Sequence, residues 1–344
     1  MYVENVLRGG GIGLRLKEGK PPRKVFEDII FKYRGSFDPD VVQGPGIGED
    51  AGIVRVGDGF LVAHSDPITA AEEYIGWLAV HVAANDVAVR GVWPRWILLT
   101  VLLPPDSSTV LLEDILRDAD EAARSINASI IGGHTEVTPG FPRPIVIASA
   151  FGYTRGRVVR TCDARPGDKV FIIGRVGGEG VGVIAHDFHD LLVEKGVSEN
   201  TIHEARRFIR DISVVDKALA IRDYVSAMHD PTEGGVLGAL YEVAVASGNT
   251  VYVDLDRISL DPIVKEITSA LEIDPYKLLS SGSLIAVVPN PYVDKVIDIL
   301  ESKGYMYSVC GEVLRGESKL VIERNGERIV LNEIVVDEIY RLWR

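Results

Sequence analysis

Sulfur is scarce in this chain. Its 344 residues include two cysteines and three methionines. Cys162 and Cys310 have none of the short spacings of a thiolate metal site, and nothing near Cys162 in sequence would activate it as a nucleophile. A reducing cytoplasm is the expected compartment. Basic charge is in deficit, with 37 Lys and Arg against 50 Asp and Glu and a net charge of −13, which argues against a nucleic-acid backbone or an anionic membrane as a partner. No apolar run reaches the roughly 18 residues of a spanning helix, and the start lacks a charged segment leading into an apolar one, so neither membrane insertion nor secretion is expected. Several familiar motifs are missing too. There is no phosphate-binding GxxxxGK[ST] loop and no HExxH. The run Gly174 to Gly180 lacks the G-x-G-x-x-G spacing of a dinucleotide fold. His186 and His189, three apart, read as a solvated helix face, and no catalytic triad is visible.

What is present is apolar bulk and placed carboxylates. With 46% hydrophobic and 25% charged residues, the chain can bury a large core, and its length suits two domains. Abundant Val and Ile with many Lys, Arg and Glu fit a heat-stable protein. Acidic residues stand at the ends of apolar segments at Glu49-Asp50, Ser65-Asp66 and Gly132-Gly133-His134-Thr135-Glu136, and Asn85-Asp86 interrupts an apolar helix. Carboxylates from separate elements are the groups expected where Mg²⁺ and a nucleoside triphosphate meet, since Mg²⁺ takes one or two protein carboxylates plus phosphate oxygens.

Residues 1–24 form a glycine- and base-rich lead. From 25 to 160 the pattern gives an amphipathic stretch Val25 to Tyr33, a hairpin of Gly52 to Val56 with Phe60 to Ser65 about a Gly-Asp-Gly turn, a helix Glu72 to Val89 and a strand Arg95 to Leu103. A helix Val110 to Ile126 capped by Ser107 or Ser108, and strands Ser129 to Gly132 and Ile145 to Tyr153, complete the first domain. A linker follows at Thr161 to Asp168. A second α/β set fills 165–344: strand Lys169 to Gly174, helices through about 180–225, helix Gly235 to Ala246, strand Thr250 to Leu255, helix Pro262 to Ala270, strand Leu284 to Val288, helix Val293 to Ser302 and terminal strands.

Each carboxylate also has a plain reading. Asp50 after the glycine loop ending at Gly48 is, by itself, more often a turn residue. Asp66 before Pro67 serves equally well as a cap. Asn85 and Asp86 are poor helix formers whose burial needs compensation, which favours a functional role. His64 and His134 flank the acids as groups that could orient ligands. His229-Asp230-Pro231-Thr232-Glu233-Gly234-Gly235 precedes a helix whose first amides can meet an anion, with Thr232 as an ordinary cap the alternative. Ser280 to Ser283 can line the same cleft or simply turn.

Glu49-Asp50-Ala51, Ser65-Asp66, Asn85-Asp86-Val87-Ala88 with Gly91 and Pro94, Gly133-His134-Thr135-Glu136 and Asp230-Pro231-Thr232-x-Gly234-Gly235 stand in one order over about residues 25–325. In that order they resemble the motifs of the aminoimidazole ribonucleotide synthetase (PurM-like) superfamily, within it most similar to the HypE hydrogenase maturation factors and their archaeal relatives. The resemblance implies a two-domain α/β (α+β) fold: an N-terminal domain that pairs in a homodimer around a β-barrel, and a C-terminal α/β sandwich. It implies ATP and Mg²⁺, with Asp50, Asp66, Asp86 and Glu136 as metal and phosphate ligands and Asn85, Gly48, Gly132 and Gly133 positioning the nucleotide. The lead around Gly10 and Gly11 would fold over the nucleotide. Asp230, Thr232 and the Gly234-Gly235 turn would face an acceptor, small-molecule or protein-borne, with Asp230, Thr232 and Glu136 acting in catalysis. The implied reaction phosphorylates an oxygen of the acceptor, as a ligase or dehydratase. Alternatives are a kinase resembling thiamine-monophosphate kinase and a nucleotide-binding regulator without turnover. This sequence departs from the HypE pattern at Glu136, Glu233 and Ser281, where that family carries lysine, arginine and glutamate, and it ends in Trp343-Arg344 instead of a cysteine. Self-modification at a terminal thiol is therefore not expected, nor is selenophosphate chemistry, for want of a cysteine in the lead.

Overall fold

Apolar runs on either side of Gly57-Asp58 fold back on each other to start the first sheet. A computed structural model describes residues 5–8, 11–14, 16, 19–69, 71 and 73–342. In it Gly57 adopts a left-handed φ of 60°, and Val56 pairs with Gly59 across the turn. The N-terminal half runs β1 (Asn5–Arg8), β2 (Gly11–Leu14), α1 (Arg23–Asp28), β3 (Val41–Gln43), β4 (Gly52–Val56), β5 (Gly59–Ile68), α2 (Ile75–Ala88), β6 (Trp96–Leu103), α3 (Thr109–Ser125), β7 (Ser129–Val137) and β8 (Ile145–Thr154). β1 and β2 pair only with each other, while the rest form a six-stranded sheet in the order β3-β4-β5-β8-β6-β7. Ser108 caps α3, accepting from Leu111 N. Of the lead, Gly10 lies outside the described residues, and Gly11 opens β2 opposite Arg8.

Two expectations shift in this half. The amphipathic stretch from Val25 yields only the short α1 and a 3₁₀ turn at Ile30–Lys32. The segment Gly132 to Glu136 is not a turn at a strand exit but the body of β7, paired in parallel with β6. Close packing explains Gly133: a Cβ there would fall 1.8 Å from Leu99 O.

The C-terminal half runs β9 (Lys169–Ile173), α4 (Gly178–Asp187), α5 (His189–Glu194), α6 (Glu199–Arg206), α7 (Val215–Ile221), β10 (Ala227–His229), α8 (Gly235–Ser247), β11 (Thr250–Asp254), α9 (Pro262–Ala270), β12 (Leu284–Val288), α10 (Val293–Ser302), β13 (Tyr307–Leu314), β14 (Lys319–Arg324) and β15 (Glu327–Leu331). Its seven strands lie in the order β10-β12-β9-β13-β11-β14-β15, with only β11 and β14 parallel. The short β10, which the sequence reading passed over, pairs with β12 and delivers His229 to the site.

α2 carries the architecture. A helix apolar all round must be covered all round, and every residue of α2 except Trp77 is buried. One core joins α2 and α3, the N-terminal sheet, α7 and one face of the C-terminal sheet through Phe171, Ile173, Leu284 and Ala286. A second core packs α8 on the opposite face of that sheet, and a third sets Leu78 of α2 against α4, α6 and α9. The fold is a mixed α/β arrangement of two sheets, with α2 wedged where they meet.

Candidate active site

Strand alternation places every second side chain on one face, so Val62, His64, Asp66 and Ile68 of β5 share the face toward α2. Asp86, near the end of α2, meets them there. His64 Nε2 lies 3.5 Å from Asp86 Oδ2 and 4.0 Å from Asp66 Oδ2, and one ligating atom from each of the three falls within 4.8 Å of the others. Asp86 is 6% exposed, and its Oδ2 has no hydrogen-bond partner among the described residues. Burial, then the nearby carboxylates of Asp230, Asp50 and Asp66, push its pKa well above the usual carboxylate range. Burial also raises Asp66, against the lowering influence of His64 and Lys20.

A second cluster, Asp50, His229 and Asp230, is likewise within 4.8 Å, but it is tied into the protein. Arg90, fully buried, donates to Glu49 Oε2 at 2.9 Å, Asp50 Oδ2 at 2.7 Å, Thr161 Oγ1 at 2.9 Å and Met228 O at 2.7 Å. His229 Nδ1 stands 2.9 Å from Asp50 Oδ1 as an ion-pair contact without good hydrogen-bond direction. Its Nε2 is 2.8 Å from Glu242 Oε2. Glu242 in turn accepts from Lys20 Nζ at 2.9 Å, so a buried chain of charges runs from the lead to the strand ends. Burial lowers the His229 pKa, but Asp50 and Glu242 more than offset it and bring it up to about 10. Burial would raise Glu242, yet Lys20 and His229 bring it down to about 2. Asp230 stands apart: neither of its buried oxygens has a hydrogen-bond partner among the described residues, and burial with the Asp50 charge pushes it up to about 7.

A cleft continuous with solvent opens beside Asp66 of the first cluster. Lys20, Asp66, Glu179, Thr232, Glu233 and Ser281 line its polar part, and Leu78, Val82, Val183, Ile339 and Tyr340 its apolar part. The orphaned buried oxygens of Asp86 and Asp230 suit a divalent cation, because unpaired buried carboxylates are costly until a cation or proton joins them. Asp66 shares the first cluster and borders the cleft.

Other expected residues sit elsewhere or are already occupied. Asn85, expected to position phosphates, donates Nδ2 to Ile212 O and accepts from Val214 N, each at 2.8 Å. Its buried amide is saturated by the C-terminal half, so it clasps the two halves together. Gly48 permits close packing instead of nucleotide approach, since a Cβ there would meet Glu242 O at 2.5 Å. Gly132 and Gly133 are strand residues of β7. Glu136 lies on that exposed edge, bonded to His134 Nε2 at 2.9 Å and to Thr138. Two strands, β6 and β8, separate it from β5, three spacings or about 14 Å at ordinary strand spacing, so within one chain it joins neither cluster. Gly234 N is already taken by Asp337 Oδ2 at 2.8 Å. Gly235, with φ +60°, would strike Leu278 O at 2.6 Å if it carried a Cβ. The start of α8 thus has an internal carboxylate where an external anion was expected. Thr232 does border the cleft.

Sequence reading missed Arg90, Glu242 and Lys20 as partners of the acids. Arg90 carried a signal, a cation two residues beyond an apolar helix that is buried throughout. Lys20 and Glu242 are 222 residues apart and carried none.

Residues 48–154 match the family model of the AIR synthase related protein N-terminal domain, and residues 165–323 that of its C-terminal domain. A Methanocaldococcus jannaschii protein with a provisional hydrogenase expression/formation name is 26% identical, over 94% of this chain and 97% of its own length. The carbamoyl dehydratase HypE of Rhizobium leguminosarum bv. viciae is 27% identical, over 91% and 89%. Among solved structures, a HypE–HypF complex chain superposes with a TM-score of 0.73 at 22% identity, covering 90% of this chain and 99% of that one. ThiL bound to AMPPCP and TMP gives 0.72 at 22% identity, covering 94% and 98%.

Proposed function

The chain belongs to the AIR synthase related proteins, and we propose that it is a Mg²⁺- and ATP-dependent enzyme that phosphorylates an oxygen of a small or protein-borne acceptor. One observation carries this reading: among the described residues, buried carboxylate oxygens on Asp86 and Asp230 lack a hydrogen-bond partner, and Asp86 clusters with Asp66, which borders an open cleft. Asp66, Asp86 and Asp230 would hold the cation. When bound, Mg²⁺ supplies neutralisation of phosphate charge in a reaction where positioning and electrostatics do most of the catalytic work. Asp50, held by Arg90 and His229, sets the negative field from behind. Thr232 and Lys20 border the space where phosphate and acceptor would meet, and the lead around Gly10 and Gly11 would close over the nucleotide. The names of the relatives, carbamoyl dehydratase and, for a Geobacter metallireducens protein 28% identical over 71% of this chain, selenide, water dikinase, support an ATP-consuming reaction.

Residues 25–160 and 165–344 are taken as the two domains of a cytoplasmic homodimer. All nine residues of β7 are exposed, including Ile130, Ile131 and Val137, and an apolar sheet edge of that kind calls for cover. A second copy there would bury it and bring Glu136 near an interface.

Incubating the protein with Mg-ATP and a fractionated metabolite pool, read by mass spectrometry, tests the reading. ATP consumption with free phosphate and an altered acceptor supports the dehydratase or ligase form. A stable phosphorylated acceptor supports the kinase form, for which the likeness to ThiL speaks. If Mg-ATP neither binds nor is consumed with any fraction, the proposal is wrong.

A further inference from the structure

We propose that His64 is a metal ligand, and that the His64–Asp66–Asp86 cluster prefers a late first-row transition cation such as Co²⁺ or Zn²⁺ to Mg²⁺. This deepens the functional reading above, since Asp66 and Asp86 are shared with it.

The placement comes from elementary strand geometry. Residues two apart on β5 project to the same side, so His64 and Asp66 stand next to each other over the end of α2, where Asp86 rises to meet them. Their ligating atoms lie within 4.8 Å of one another, and His64 Nε2, 3.5 and 4.0 Å from the two carboxylates, is within the roughly 4.2 Å that a cation about 2.1 Å from each of two ligands can bridge. Neither contact of His64 with these carboxylates is a hydrogen bond: 3.5 Å to Asp86 Oδ2 and 4.0 Å to Asp66 Oδ2 are both too long. The imidazole therefore faces two carboxylates without bonding either. Asp86 supplies the independent sign of a missing occupant, because its Oδ2, on a side chain 9% exposed, has no hydrogen-bond partner and points at that imidazole. By contrast, His229 of the other cluster has both ring nitrogens against carboxylates, at 2.9 and 2.8 Å.

One nitrogen changes the metal preference. Mg²⁺ favours oxygen ligands and water. Imidazole suits later first-row ions, whose affinity for a mixed nitrogen and oxygen site rises along the series toward copper. A cluster of carboxylates alone follows the same order less steeply, so the part of the preference that depends on His64 is the part its removal should erase.

The test uses the full-length protein without nucleotide, titrated calorimetrically with CoCl₂ and with MgCl₂ while the visible Co²⁺ spectrum is followed. Wild type should bind Co²⁺ at least about tenfold more tightly than Mg²⁺, and His64→Ala should lose about tenfold or more in Co²⁺ affinity with Mg²⁺ changed by no more than about twofold. The spectrum should shift as a nitrogen ligand is lost. His64→Gln serves as a second variant, and a thermal melt of each checks folding. Asp86→Asn should weaken both metals. Co²⁺ bound no more tightly than Mg²⁺ by wild type, or unchanged Co²⁺ affinity and spectrum in both folded His64 variants, would overturn the proposal. A parallel Mg-ATP titration keeps the two ideas separate: cobalt selectivity without ATP binding removes the functional reading and leaves this one, while ATP binding with a cobalt affinity indifferent to His64 does the reverse.

Discussion

Two clusters of the same residue types, two acids and a histidine each, sit side by side and are built in opposite ways. In Asp50–His229–Asp230, the histidine is gripped by Asp50 and Glu242 and Asp50 is gripped by Arg90. In His64–Asp66–Asp86, no contact within the cluster is a hydrogen bond. Composition alone would call both metal sites. Their partners say that the first is chiefly a joint of the protein, with Asp230 its one acid lacking a hydrogen bond among the described residues, and the second a place for something else. A buried ion pair is costly to break and adds little when whole, whereas an unpaired buried acid makes the empty protein less stable and is relieved by a ligand.

The largest test of this contrast is Arg90→Ala. Removing the cation leaves Glu49 and Asp50 buried without it, and should cost about 3–5 kcal/mol in urea unfolding, whereas Asp86→Asn in metal-free buffer should leave stability equal to wild type or higher. Equal losses in the two variants would erase the distinction. Next comes Asn85→Ala, which strands Ile212 O and Val214 N and should cost about 2 kcal/mol without changing metal affinity at the open cluster. Such a change in affinity would return Asn85 to the binding site.

The pH dependence follows from the same contrast. Asp230, and Asp337 where burial dominates, stand at about 7 in the fold against about 4 in an unfolded chain. Between those values the folded protein holds more protons than the unfolded one, so stability in EDTA should fall as pH rises from about 4 to 7. His229, at about 10, contributes stability that is full below its ordinary value of about 6.5 and is lost as pH rises toward 10. Asp230→Asn should flatten the lower limb and leave the upper one, as read from unfolding midpoints at pH 5, 7 and 9. The smallest effect is expected from Glu136→Ala, exposed on β7 and outside both clusters, which should change stability in dilute protein by less than about 0.5 kcal/mol.

Much of this was legible in the sequence because it is local. Strand and helix periods placed the hairpin at Gly57, narrowed the α3 cap to Ser107 or Ser108 and placed most strands of the second half, and the ordered acidic motifs pointed to the superfamily. The polar pair inside apolar α2 rightly signalled compensation, but Asn85 found it in the backbone at 212 and 214, and no spacing rule reaches that far. Gly133 and Gly235 read from the sequence as nucleotide- and acceptor-facing residues, because glycine serves both ligand approach and close packing, and only the neighbouring carbonyls of Leu99 and Leu278 tell which. The division between the two clusters was invisible for the same reason: Arg90 and Lys20 neutralise acids up to 222 residues away, Glu242 holds His229, and His64 meets Asp86 only when α2 packs on β5.

The most direct test of the account is isothermal titration of Mg-ATP into wild type and Asp86→Asn, with urea melts of both. The account predicts that Asp86→Asn is folded and at least as stable as wild type without metal, yet loses Mg-ATP binding. Mg-ATP binding by Asp86→Asn with wild-type affinity would contradict it.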